Sequence, residues 1–151
     1  MRSRGRSAAR AGPAGPRRRP VSGERLGTLF ILGSDLPQAR ALLDQALDLS
    51  VAARSTASVT ACLAAQARLA FAEDDPERAA RLQGAAEGLR RRASLRVWPP
   101  LREGEAELVA QARQRLGTDR FDQPFAAGSG LTQQQAVAIV SDQRRTSPRT
   151  P

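Results

Sequence analysis

The chain has no histidine, lysine or tyrosine, and it holds a single cysteine, Cys62, and a single tryptophan, Trp98. Each absence closes a route to chemistry. Without His, no side chain titrates naturally near neutrality. Without Lys there is neither a Schiff-base amine nor the lysine that a GxxxxGKS/T phosphate loop requires. One Cys cannot close an internal disulfide or build a thiolate metal cage. Cys62 is therefore expected to act as a small buried hydrophobe in a reducing cytoplasm. No catalytic, cofactor-binding or metal-ligating residue is assigned, and the chain is expected not to be an enzyme. Long apolar runs are also missing, so neither a membrane span nor an export signal is expected.

All 24 basic residues are Arg, and the formal net charge is +9. The distribution matters more than the sum. Residues 1–20 carry seven Arg and no acid, and Arg144, Arg145 and Arg149 lie within the last nine residues. Residues 21–142 hold fourteen Arg against fifteen acids, a net charge of −1. The domain is electrically balanced, and the basic character belongs to the ends. The segment MRSRGRSAARAGPAGPRRRP has no large apolar residue after Met1, so it cannot bury enough surface to offset the entropy of ordering. It is expected to be a disordered tail over 1–20, with a second tail over 143–151.

From Val21 onward, apolar residues recur at spacings of three and four, and the chain reads as all-α over 21–142. A first helix is expected over about Ser22–Gly33, presenting Leu26, Leu29 and Phe30. A second runs from Asp35, a capping carboxylate, to about Ala53 with Ala39, Leu42, Leu43, Ala46 and Leu47 inward. A third covers Thr56–Ala72 with Val59, Cys62, Leu63, Leu69 and Ala70 on one stripe. Gln66 interrupts that stripe and is expected near its edge. A fourth is capped by Asp75, begins at Pro76 and reaches Arg92 through Ala79, Leu82, Ala86 and Leu89. Over the linker 93–101, Pro99 and Pro100 are expected to block a helix, with Trp98 as a packing plug. C-terminal helices follow over about 102–142. One covers Arg102–Leu116, a short piece covers Arg120–Ala127 with Phe121 and Phe125, and the last opens with a capping box at Thr132 and Gln135 and buries Ala136, Val137 and Val140.

The second and fourth helices superpose at a shift of 40 residues, Asp35 on Asp75, Ala39 on Ala79, Leu42 on Leu82 and Ala46 on Ala86. A helical hairpin repeated at such a period points to a short α-solenoid with hairpins at about 22–53 and 56–92, with an antiparallel bundle as the alternative. Small residues, Ala39, Ala46, Ala79, Gly84 and Ala86 among them, permit close helix approach.

The order of features from Asp75 to Ile139 resembles the C-terminal end of the tetratricopeptide-like region in large actinobacterial regulators. These are signal-transduction ATPases of the LuxR-type and antibiotic-regulator groups, and cyclase-linked ATPases. The resemblance is carried by PERAARLQGAAEGLRRR at 76–92, a proline-containing break, ARQRLG at 112–117, and Phe121, Phe125, Ala126, Gly128, Leu131, Ala136 and Val137. It implies a sensor or scaffold arm that binds an effector or partner, severed from its parent. The family's phosphate-binding loop is missing, and after Val140 only SDQRRTSPRTP follows, so neither nucleotide hydrolysis nor DNA readout transfers to any residue.

The expected function is a cytoplasmic, non-catalytic protein-interaction module whose protein partner the sequence does not name. Self-association through an open N-terminal repeat end is a further expectation, from Leu26, Leu29 and Phe30. The alternative is a non-specific nucleic-acid binder acting through the Arg tail. Arg90, Arg91 and Arg92 read as charges complementing a helix C-terminus, and Glu103, Glu105 and Glu107 as the mirror case on a solvated face rather than as an acid–base pair.

Overall fold

A computed structural model describes Gly33 and residues 35–146. The expected first helix lies outside the described residues apart from Gly33, which sits in a turn, and so do residues 1–20 and 147–151. The described residues form six helices and no strand: α1 (Leu36–Ala52), α2 (Thr56–Ala72), α3 (Pro76–Arg92), α4 (Pro99–Leu116), α5 (Thr118–Ser129) and α6 (Gln133–Thr146).

The first three helices are 17 residues long and start 20 residues apart. Their starts follow from capping. Asp35 Oδ1 accepts from the Gln38 amide, Ser55 Oγ from that of Ser58 and Asp75 Oδ1 from that of Arg78, and each satisfies a donor the helix leaves open. Their ends share one turn. Arg54, Asp74 and Ser94 take left-handed backbone angles at φ 54°, 64° and 53°. The next residue donates its amide to the carbonyl five back: Ser55 to Ser50, Asp75 to Ala70 and Leu95 to Arg90. This closure consumes carbonyls that the helix end would leave bare. Ser55 and Asp75 close one helix and cap the next, which leaves three-residue connections.

Such short connections force antiparallel neighbours. Pairing across α1 and α2 follows that direction: Arg40 with Glu73, Asp44 with Gln66, Ser50 with Cys62. The main core joins Leu47 of α1, Val59, Cys62 and Leu63 of α2, Leu82 and Ala86 of α3, Leu108 of α4, and Ala136 and Val140 of α6. Helix α2 is its centre, with ten buried residues spread around its circumference. Gln66 is one of them. It is 1 % exposed rather than at an edge, and it is tolerated there because its Nε2 donates to Asp44 Oδ1 at 2.9 Å.

Helix α5 lies against α3 in the parallel sense, with Gly84 facing Phe125 and Gly88 facing Ser129. The contact is backbone to backbone. A Cβ on Gly84 would stand 2.1 Å from the Phe125 carbonyl oxygen, and one on Gly88 2.2 Å from that of Ser129. Side-chain-free surfaces on both helices permit that approach. Phe121 and Phe125, stacked with centroids 5.5 Å apart, flank the contact, and Phe121 joins Ala80 and Ala112 in a separate small core.

Several expectations are corrected by the C-terminal half. Pro99 and Pro100 begin α4 instead of preventing it, because a missing N–H is harmless in a helix's first turn. Trp98 precedes that helix and is 61 % exposed, not a plug; its carbonyl accepts the Leu101 and Arg102 amides. Helix α5 is longer than expected, with Pro124 inside it. The capping box of α6 is present: the Thr132 amide donates to Gln135 Oε1, and the Gln135 amide to Thr132 Oγ1. That helix continues four residues past Asp142, through Thr146, into the stretch expected as tail.

Candidate protein-interaction site

Helix α6 is short and mostly polar. Of its side chains only Ala136 and Val140 are fully buried, with Val137 and Ile139 half-buried against the same core. Its seat is the groove formed by α1, α2 and α3. At its start, the Arg92 guanidinium donates to the Ser129 and Leu131 carbonyls, tying the approach to α6 to the end of α3. At its end, Arg144 reaches α1. Its Nη1 donates to both Asp48 carboxylate oxygens at 3.1 and 3.0 Å, its Nη2 donates to the Asp44 carbonyl at 3.0 Å, and its Nε lies 3.2 Å from Asp44 Oδ2. Burial pulls against the Arg144 charge, but the hydrogen bond it donates to Asp48 and the charges of Asp44 and Asp48 outweigh it and raise its pKa. The anchors place α6 antiparallel to α1 and α3.

The mouth of this groove is lined by Asp75, Glu77 and Arg78 of the α3 start and by Ile139, Asp142 and Gln143 of α6. Arg78 Nη1 and Gln143 Oε1 are both shielded from solvent and have no hydrogen-bond partner. Burial pulls the Arg78 guanidinium below its ordinary value, the charge of Arg40 adds to that, and Glu73, Asp75 and Asp44 oppose it. A shielded donor and a shielded acceptor therefore stand unsatisfied at the same groove.

Arg90, Arg91 and Arg92 lie in the last turn of α3 as expected, and the charged residues singled out by sequence also pair within the fold. Arg90 is buried and forms a double hydrogen bond to Glu105, Nη1 to Oε2 at 2.6 Å and Nη2 to Oε1 at 2.9 Å, while Gln83 Nε2 adds a third at 3.1 Å. Glu105 is thus an internal partner and not part of a solvated face. Because α4 begins at Pro99, Glu103, Glu105 and Glu107 fall beyond its first turn, where the helix dipole no longer selects for acid. Arg91 and Arg92 bind Ser129 and the residues around it, so all three arginines link helices. Cys62 is buried with its Sγ 3.5 Å from Ser50 Oγ.

Among the described residues, four large apolar side chains are exposed. Trp98 and Leu101 stand together at the start of α4, 61 % and 46 % exposed, and Leu49 and Val51 lie exposed near the end of α1. The edge expected to mediate self-association, at Leu26, Leu29 and Phe30, lies outside the described residues, as does the Arg tail. Among the described residues no group of three or more Cys, Asp or Glu side chains is placed to hold a metal, and no helix is long and apolar enough to cross a membrane. No protein-family model matches the chain, and no curated protein and no solved structure matches it either.

Proposed function

We propose that the chain is a non-catalytic protein-interaction module, a short α-solenoid related to the helical arms of bacterial transcriptional regulators of the signal-transduction ATPase type. The observation that carries this reading is the recurrence of α1, α2 and α3. Three helices of equal length, set 20 residues apart and closed by the same turn, recur as the helices of stacked hairpins do, and α5 lies parallel to α3 as a following hairpin's second helix would. Stacked hairpins produce extended grooves whose side chains vary without cost to the stack, which suits them to protein recognition. Exposed Trp98 and Leu101 add an aromatic–aliphatic surface of the sort enriched where proteins meet. The order of features shared with the regulator arms supports the same reading.

The test is site-specific photocrosslinking in the native cell, with a photoreactive phenylalanine analogue placed in turn at Ala41, Trp98 and Gln123, all exposed. The expected result is a discrete protein adduct from at least one position. Absence of protein adducts from all three positions contradicts the reading.

A second reading, non-specific nucleic-acid binding, is favoured by the seven Arg without an acid in residues 1–20. It requires binding that weakens steeply with salt and disappears when residues 1–20 are deleted.

A further inference from the structure

Within the described fold, α5 and α6 are held in contrasting ways. Helix α5 is locked to α3 through backbone at Gly84, Gly88 and Gly128. Helix α6 rests on two fully buried side chains, on the half-buried Val137 and Ile139, and on Arg144 at its end, while Arg92 holds the turn before it. Its first turn is Gln133, Gln134 and Gln135, and the turn before it contains Gly130, at which an added Cβ would meet nothing closer than 3.8 Å. The turn is loosely packed around that residue. The fit is also incomplete. Gln143 presents an amide oxygen, shielded and unpartnered, at the groove where Arg78 holds a shielded, unpartnered donor. The acids lining that mouth, Asp75, Glu77 and Asp142, do not bond Arg78 Nη1, although the charges of Glu73, Asp75 and Asp44 act on it against that of Arg40.

We propose that α6 holds the place of a partner helix: the groove of α1, α2 and α3 binds an amphipathic helix with small apolar residues at i and i+4, a carboxylate at i+7 and an arginine at i+8, once α6 lifts out. The pattern is read from the occupant. Ala136 and Val140 supply i and i+4, and Arg144 at i+8 meets Asp44 and Asp48. At i+7 stands Gln143, at the groove where Arg78 Nη1 lacks an acceptor that a carboxylate would offer. A helix laid by its apolar stripe into a groove and fixed by an ion pair is a recurrent mode of recognition. The intramolecular helix competes at high effective concentration, so it sets a threshold that only a better-matched helix passes. The inference rests on the interaction-module reading and assigns its occupant.

The experiment titrates the full chain against a fluorescein-labelled peptide of residues 131–146, native or carrying Gln143→Glu, and reads anisotropy. Four chains are compared: wild type, Arg144→Glu, Val140→Ala and Arg78→Gln. Reversing the charge at Arg144 sets it against Asp44 and Asp48 and releases the end of α6, so this chain should bind the native peptide about tenfold more tightly than wild type does. Val140→Ala, which trims one buried contact, should move affinity in the same direction and serves if Arg144→Glu fails to fold. The Gln143→Glu peptide should bind more tightly than the native peptide to wild type and to Arg144→Glu, and that gain should vanish on Arg78→Gln. Equal affinity for wild type and both loosened chains overturns the proposal, as does a Gln143→Glu gain that persists without Arg78. Peptide bound by none of the chains also overturns it, while photocrosslinking from Ala41, Trp98 or Gln123 tests the broader module reading separately.

Discussion

Gly128 of α5 faces the carbonyl of Arg81 on α3 so closely that a Cβ at Gly128 would stand 1.9 Å from that oxygen. Nothing flexible lies between them, so a methyl group can be accommodated only if two helices part. Gly128→Ala, Gly84→Ala and Gly88→Ala are each expected to destabilise the fold by about 1–3 kcal/mol or more, read from urea unfolding. Gly104→Ala is the control. Its Cβ would meet only the guanidinium end of Arg68, which can swing aside, and Ala favours a helix interior over Gly by roughly 0.5–1 kcal/mol. The control should therefore be neutral or stabilising.

The Arg90–Glu105 pair is the most enclosed ion pair among the described residues, with side chains 7 % and 14 % exposed. Removing one partner strands the other charge in the interior. Glu105→Ala should cost about 3–5 kcal/mol in chemical unfolding, whereas replacing both residues with apolar side chains of similar volume should recover most of that. At the exposed Arg145–Asp142 pair, Asp142→Ala should change stability by less than about 1 kcal/mol.

Arg54 and Ser94 occupy left-handed backbone angles that cost a side-chain-bearing residue about 1–2 kcal/mol. Arg54→Gly and Ser94→Gly should raise the melting temperature, with a net gain of roughly 0.5–1 kcal/mol each once the freer unfolded chain is counted. Asp74→Gly should gain less. Asp tolerates this conformation, and Asp74 also pairs with Arg115 at 3.0 Å.

Trp98 is expected to emit as a water-exposed indole and to be quenched freely by acrylamide. Trp98→Ala should leave stability within about 0.5 kcal/mol of wild type, as for a surface side chain. Blue-shifted, quencher-protected emission from the isolated chain would contradict the placement.

The bounds of α1, α2 and α3 were legible because each carries local signals: Asp35 and Asp75 as caps, Pro76 at a helix start, and apolar residues on a 3.6-residue period. The capping box at Thr132 and Gln135 was legible for the same reason. What sequence reading missed depends on partners distant in the chain. Glu105 looks solvated until α4 is laid against α3 and Arg90 appears beside it. Gln66 looks like an interruption until Asp44 is found opposite. The end of α6 looks like tail until Arg144 meets Asp44 and Asp48, about 100 residues earlier. Pro99 and Pro100 carry a signal with two meanings, since proline both breaks a helix and begins one. Here the carbonyl of Trp98 was free to start the next helix, which decided between them. The glycines at 84, 88 and 128 could have indicated the parallel α3–α5 contact, because they form matching side-chain-free surfaces.

Backbone amide exchange, resolved helix by helix in the full chain, tests most directly whether α6 is a removable occupant of its groove. The amides of α6 are expected to exchange through local opening, well before those of α2 and α3, which open only when the whole domain unfolds. Protection of α6 equal to that of α2 and α3 would make it an inseparable part of the core and contradict its role as a stand-in for a partner.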